Sequence, residues 1–279
     1  MIDDVLDLRA PGCLLTAAVV AAGLCACTPG PIDVIDLDPR TLSSGLIAHW
    51  TFDEADGDRL YDDGGSDPPH DGTLEGAWTR ITGRFGGAVH FSSGGVSVPA
   101  FPQPSSGVGS WSVTAWVRTP AELDTGSTWA TVISNELLRT GGWQLNIRYP
   151  VAPAAYQFAY WHGPLENTYV FQDHPPVMVD RWVHLVGVYD AIQNVAWTYV
   201  DGAPVFENGV AVSKPADQSI KQGTTTLWMA RWPPESTLLA NNPSEERRLL
   251  GDLDEIAIYN RALGPKEAAA LARAPIPLH

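Results

Sequence analysis

The chain has 279 residues, enough to bury a substantial core, and its 26 glycines and 23 prolines suit short strands joined by tight turns. With 32 acidic residues against 17 lysines and arginines, the formal net charge is −15. That balance excludes a nucleic-acid phosphate footprint and fits an extracellular surface or one that attracts cations.

Residues 1–27 read as an export signal. Leu14 to Ala26 is apolar and built of small residues, like the h-region of a secretory leader, although Asp3, Asp4 and Asp7 surround a single Arg9 where a basic start is expected. The end, Leu24-Cys25-Ala26-Cys27, resembles the lipobox of bacterial lipoproteins and implies Cys27 as the acylated residue, hence an exported protein held at the membrane only through a lipid. The alternative is a cytosolic protein with an apolar N-terminal tail. All three cysteines lie in this region, so the processed chain is expected to fold without a disulfide. Past the leader, no segment is long and apolar enough for a transmembrane helix.

Residues 28–44, with prolines and aspartates but no periodicity, read as a tether. Gly45 to Phe52 opens the domain as a strand. Asp53 to Thr73 is an acidic, turn-rich loop. Val89 to Val98 reads as a hairpin-like pair around Ser92 to Gly95. Trp111 to Arg118 alternates, with Trp111, Val113, Ala115 and Val117 on one face. Further strands are expected at 130–134, 143–149, 155–161, 182–189, 195–200 and 224–231. Asp201-Gly202 is a two-residue hairpin signal, because type I′ turns need positive φ. Pro233 to Arg248 reads as a polar surface insertion. The last strand, Gly251 to Leu263, alternates so that Asp254, Ile256 and Ile258 share one side and Leu253, Glu255, Ala257 and Tyr259 the other. A helix starting at Pro265 follows. The domain spans 45–273, with 274–279 as a tail. The pattern predicts an all-β, two-sheet antiparallel sandwich with a short C-terminal helix.

Four stretches in order, Gly45-Leu-Ile-Ala-His-Trp-Thr-Phe-Asp-Glu54, Gly83-Arg-Phe-Gly-Gly-Ala-Val-His-Phe91, Arg181-Trp-Val-His-Leu-Val-Gly-Val-Tyr-Asp190 running to Gly202, and Gly251-Asp-Leu-Asp-Glu-Ile-Ala-Ile-Tyr-Asn-Arg-Ala-Leu263, resemble LamG-like jelly-roll domains of the concanavalin A-like lectin/glucanase superfamily. The resemblance implies a jelly roll and a structural calcium between the acid after the first strand and the aspartate of the closing strand. The matching positions are Asp53 and Asp254, with Asp71 or the Gly72 carbonyl oxygen as further ligands. Calcium takes six to eight oxygen ligands, and the acidic loop is rich in them.

The Glu-x-Asp-x-(x)-Glu strand of the superfamily's glucanases is not present, nor is an HExxH or G-x-S-x-G motif. Asp252-Leu-Asp-Glu255 imitates the first in a segment that resembles a structural strand. Eleven tryptophans invite a sugar-stacking reading. Trp50, Trp116, Trp182 and Trp228 are expected in the core, while Trp129, Trp143, Trp161 and Trp232, flanked by turn residues, are the candidate ligand-binding positions. The expected role is non-enzymatic recognition of an extracellular glycan or protein. A glycan-active hydrolase and a surface assembly protein are the alternatives.

Overall fold

Alternating apolar side chains recur between residues 46 and 259, and in the computed structural model they form the strands. The structure describes residues 37–277 apart from 103–108, 122–128, 138–139, 149–154, 164–165, 172–176, 194, 208–209, 212–213, 216–220 and 235–246. Cys27 and the proposed leader therefore lie outside the described residues. In chain order the elements are α1 (Pro39–Ser43), β1 (Leu46–Trp50), β2 (Arg59–Leu60), β3 (Gly72–Glu75), β4 (Trp78–Thr82), β5 (Gly87–Phe91), β6 (Gly95–Val98), β7 (Trp111–Arg118), β8 (Trp129–Ser134), β9 (Trp143–Arg148), β10 (Ala155–Gly163), β11 (Glu166–Phe171), β12 (Trp182–Asp190), β13 (Val195–Val200), β14 (Ala203–Pro204), β15 (Phe206–Glu207), β16 (Val210–Ala211), β17 (Lys214–Pro215), β18 (Leu227–Met229), β19 (Gly251–Tyr259) and α2 (Pro265–Leu271).

They build two main antiparallel sheets. One has nine strands, ordered β14-β13-β12-β7-β19-β5-β4, with β1 on β19 and β17 on β13; the other has eight, ordered β11-β10-β9-β8-β18-β6-β3-β2. The first strand thus pairs with the last, through Ala48↔Ile258, His49↔Ala257 and Trp50↔Ile256. Between the sheets lies one large apolar cluster. Trp111, Val113, Ala115 and Val117 of β7 enter it as their alternation predicts, and Trp143, Leu145, Tyr156 and Phe158 enter it from the eight-stranded sheet. The Trp111 and Trp143 rings stand 4.3 Å apart by centroid. Asp201 (φ 49) and Gly202 (φ 80) form the turn between β13 and β14, both left-handed as a type I′ turn demands.

Two expectations change. The strands around Ser92 to Gly95 are not a hairpin: β5 belongs to the nine-stranded sheet and β6 to the eight-stranded one. The turn chemistry signals a reversal but not the sheet on which the chain lands. Ser92 and Ser93 donate their N–H groups to Ala77 O as the chain crosses, and a Cβ on Gly94 would stand 2.2 Å from Glu75 O. The second change lies in β19. Its pairing with β7 slips between Asp254 and Ala257, where Glu255 adopts φ 48. One extra residue in a bulge moves every later side chain to the opposite face. Leu253, Ile256 and Ile258 therefore share the main core, whereas Ala257 and Tyr259 face outward.

Outside the nine-stranded sheet, those two residues meet a second apolar cluster with Leu42, Val186, Tyr199, Leu263, Leu271 and Ile276. Residues 37–44, read above as tether, are in part docked here. The Tyr259 hydroxyl donates to Leu42 O at 2.8 Å, and the Arg261 guanidinium reaches Thr41 O at 2.7 Å and Ser44 O at 2.6 Å. Ile276, assigned above to a tail, is also buried. The physical reason is that a sheet face carrying Val186, Tyr199 and Ala257 must be covered, and both chain ends supply the cover. Leu42→Ala should therefore lower the unfolding free energy by about 2–3 kcal/mol in urea titration; a tether residue would leave it unchanged.

Candidate functional site

Asp254 is fully buried, and its register next to the bulge carries it outward onto the turn between β4 and β5. There Oδ2 accepts the N–H groups of Arg84 (2.7 Å) and Phe85 (3.0 Å), while Oδ1 has no hydrogen-bond partner. Asp53, just past β1, accepts the Gly87 N–H at 2.5 Å. The turn closes on itself through Gly83 N–H to Gly86 O at 2.9 Å. Its glycines are required: a Cβ on Gly83 would stand 2.5 Å from Asp254 Oδ2, and one on Gly86 would stand 2.2 Å from Asp53 Oδ1. Burial pushes the Asp254 carboxyl up to about 7, and the charges of Glu255 and Asp53 push the same way against the two N–H donors. A half-satisfied buried carboxylate beside other acids is costly unless a proton or a cation completes it. The hard-oxygen set of Asp53 and Asp254, with turn carbonyls at hand, fits calcium. Among the described residues, no group of three or more His, Cys, Asp or Glu side chains stands together as a metal cluster, so further ligands at this turn would have to be backbone oxygens or water.

The other expected ligands stand elsewhere. Asp71 accepts from the Arg59 guanidinium and from Asp62 N–H at 2.9 Å, and Gly72 pairs with Leu60 in the eight-stranded sheet. Asp71 and Gly72 are thus committed to holding the acidic loop. Asp62, in the same loop, accepts the N–H groups of His49, Gly64 and His70 at 2.8–2.9 Å. What looks like a ligand-rich run is largely a set of loop braces.

The three acids of Asp252-Leu-Asp-Glu255 are likewise engaged separately. Asp252 lies 2.6 Å from His90 Nδ1 and also binds Arg118. Glu255 lies 2.7 Å from His49 Nε2. Near it, beneath the C-terminal segment, His184 Nε2 stands 2.6 Å from the Thr114 hydroxyl. Burial pulls the His184 imidazole down to about 3.

The eight-stranded sheet presents a second feature. Its outward positions carry polar side chains in register: Thr131 pairs with Asn146, Asn146 with Gln157, and Ser134 with Gln144. Thr131 and Asn146 are 0 % exposed, and Gln144 and Gln157 are 4 % exposed. Asn146 donates its amide to Gln157 Oε1 at a long 3.5 Å. Thr131 Oγ1, Gln144 Oε1 and Asn146 Oδ1 have no hydrogen-bond partner among the described residues. Each unpaired buried acceptor costs about 1–3 kcal/mol, so a row of three on one face is a concentrated penalty. Aromatic side chains flank it. Trp129 sits across from Arg148 and is only half-buried, and Trp228 lies between Ser97 and Ser134.

The candidate tryptophans divide accordingly. Trp129 and Trp161 occupy outward positions of this sheet by alternation, but Trp161 is 4 % exposed and is not a rim residue. Trp143, 0 % exposed, belongs to the main core, because its strand turns that side inward. Trp232, also 0 % exposed, donates its indole N–H to Glu136 and lies under the Arg247 guanidinium, 4.1 Å from it. Flanking turn residues mark strand ends and say nothing of which face a ring takes. Trp228, expected in the core, lies on the outward face. The sequence signal of the amide row is the alternation Trp143-Gln-Leu-Asn-Ile-Arg148 and Ala155-Tyr-Gln-Phe158, in which Gln144, Asn146 and Gln157 take outward steps.

Two curved antiparallel sheets enclosing one core, closed by pairing of the first and last strands, define a lectin-type jelly roll. The chain belongs to the Laminin_G_3 family of the concanavalin A-like lectin/glucanases superfamily, whose family model matches residues 91–269. No curated protein matches it in sequence. Among solved structures, it is similar to domain 4 of AbnA, a GH43 extracellular arabinanase from Geobacillus stearothermophilus, in complex with arabinotriose: TM-score 0.57 and 20% identity over 82% of this chain and 98% of that one. It is also similar to the ligand binding domain of botulinum neurotoxin serotype D in complex with N-acetylneuraminic acid, with TM-score 0.57 and 13% identity over 84% of this chain and 52% of that one. The binding domain of Paraclostridial Mosquitocidal Protein 1 matches with TM-score 0.58 and 15% identity over 83% and 52%. The chain thus spans about half of those toxin domains, and at these identities the likeness is one of fold.

The buried histidine carries a pH signature. A group whose folded-state pKa lies below its unfolded value of 6.5 contributes stability above that value and loses it as the pH falls towards 3. The unfolding free energy should decline over this window, and His184→Gln, which keeps a partner for Thr114, should flatten the decline. An unchanged slope in the variant would assign the acid limb to other groups.

Proposed function

We propose that the domain is a non-enzymatic module that recognises an extracellular glycan on the outward face of its eight-stranded sheet. The observation that carries this is Trp129, the one of the four candidate tryptophans that is only half-buried, standing on that face beside the outward polar positions Thr131, Gln144 and Asn146. An indole such as that of Trp129 suits the apolar face of a pyranose ring. Two of the similar structures are complexes with arabinotriose and N-acetylneuraminic acid, which supports a saccharide ahead of a protein ligand. A non-enzymatic role is supported by the separate engagement of Asp252, Asp254 and Glu255. The apolar leader and Cys27 support export and lipid attachment, which would place this face outside the cytoplasm.

On a glycan array, the domain should bind a restricted set of saccharides without turning them over. Trp129→Ala should weaken that binding about tenfold or more while leaving the melting temperature near wild type. Binding untouched by the substitution would remove the face from consideration, and product release would establish an enzyme.

Calcium at Asp53 and Asp254 is the second part of the proposal. It would neutralise a buried carboxylate and fix the glycine turn against β1 and β19. A ligand that binds only the native state adds about 2.7 kcal/mol at a hundredfold excess over its Kd. Chelation should therefore lower the melting temperature, and calcium should restore it better than magnesium, whose octahedral shell is tighter. Asp254→Ala should abolish the response. A melting temperature indifferent to verified metal removal would contradict the site.

A further inference from the structure

The nature of the glycan is narrowed by charge, an inference that rests on the binding face just proposed. In a chain with 32 acidic residues against 17 lysines and arginines, a guanidinium readily finds a carboxylate. Arg59, Arg80, Arg118, Arg181 and Arg261 each do. Among the described residues, Arg148 and Arg231 do not, nor does Arg84 on the carboxylate turn of the other sheet. Arg148 stacks on Trp129 at 5.7 Å and Arg231 on Trp228 at 5.1 Å. The Nε atoms of both are buried without a hydrogen-bond partner.

Their placement is specific. Arg148 ends β9, across from Trp129, and Arg231 follows β18, whose Trp228 pairs with Ser134 beside the amide row. The two stacked cations therefore stand on strands either side of β8, which carries Thr131. A guanidinium placed over an indole still has N–H groups to offer, and these can receive a carboxylate in a two-pronged contact. Two of the described acids near the face are already engaged. Glu75 accepts from the Ser97 hydroxyl at 2.5 Å, and Glu136 accepts from the Trp232 indole. The remainder of the protein is acidic and repels anions at long range, so attraction at this face acts only on contact and serves selectivity rather than encounter rate.

We propose that the outward face of the eight-stranded sheet selects an acidic saccharide, with Arg148 and Arg231 receiving sugar carboxylates. The test uses the full chain on an array of uronic- and sialic-acid glycans printed beside their carboxyl-reduced counterparts and beside sulfated, carboxylate-free glycans. The strongest pair is then taken into calorimetry. The carboxylated member should bind about tenfold or more tightly than its reduced form, equivalent to ~1.4 kcal/mol. Arg148→Gln and Arg231→Gln should each erase most of that difference while leaving affinity for the reduced form and the melting temperature unchanged. Equal affinity for acidic and reduced forms would overturn the acidic preference and leave the glycan reading standing. A preference for the sulfated set would overturn the carboxylate assignment, and silence across the whole array would overturn both readings.

Discussion

The burial of one carboxylate, Asp254, constrains this jelly roll more than any other feature. A fully buried acid demands partners from several directions. The fold supplies two backbone N–H groups from the Gly83–Gly87 turn, a bulge that aims the side chain outward, and the end of the first strand beside it. Each requirement reaches a different part of the chain. The glycines are needed because any side chain there would collide with the carboxylates. The bulge at Glu255 frees Ile256 to return to the core while Asp254 stays outside it. The first and last strands then close the sheet around the same point.

The two sheets divide the work. The nine-stranded sheet gathers both ends of the described chain: α1, α2 and the C-terminal segment cover its outward face through Leu42, Leu271 and Ile276. That face is committed to stability. The eight-stranded sheet turns the same core inward and lines its outward side with amides and hydroxyls, Thr131, Gln144 and Asn146 among them, beside the half-buried Trp129.

Much of the architecture was legible in the sequence. Period-two alternation located β7, β12, β13 and β19, the Asp201-Gly202 pair located its hairpin, and the four ordered motifs named the superfamily. Asp53 and Asp254 were also legible as a pair, because they sit at the ends of strands that must close the sheet. What alternation cannot show is a bulge, since one residue at positive φ inverts the faces beyond it; that is why Ile256 and Asp254 were placed together. Nor does a tryptophan announce its face. Trp143 and Trp129 have similar neighbours, yet one is central to the core and the other stands at the edge of a polar sheet. Asp71 looked like a ligand because acids in a loop all look alike, and only the fold shows it braced by Arg59.

The account stands or falls on whether a saccharide meets the outward face of the eight-stranded sheet. Side-chain amide resonances report this without altering the protein. With the domain labelled with nitrogen-15 and titrated with its best array glycan, the NH2 signals of Gln144, Asn146 and Gln157 should shift together along one saturation curve, with the Trp129 indole N–H moving alongside. Shifts confined to the nine-stranded sheet or its loops, with those amides unmoved at saturation, would contradict it.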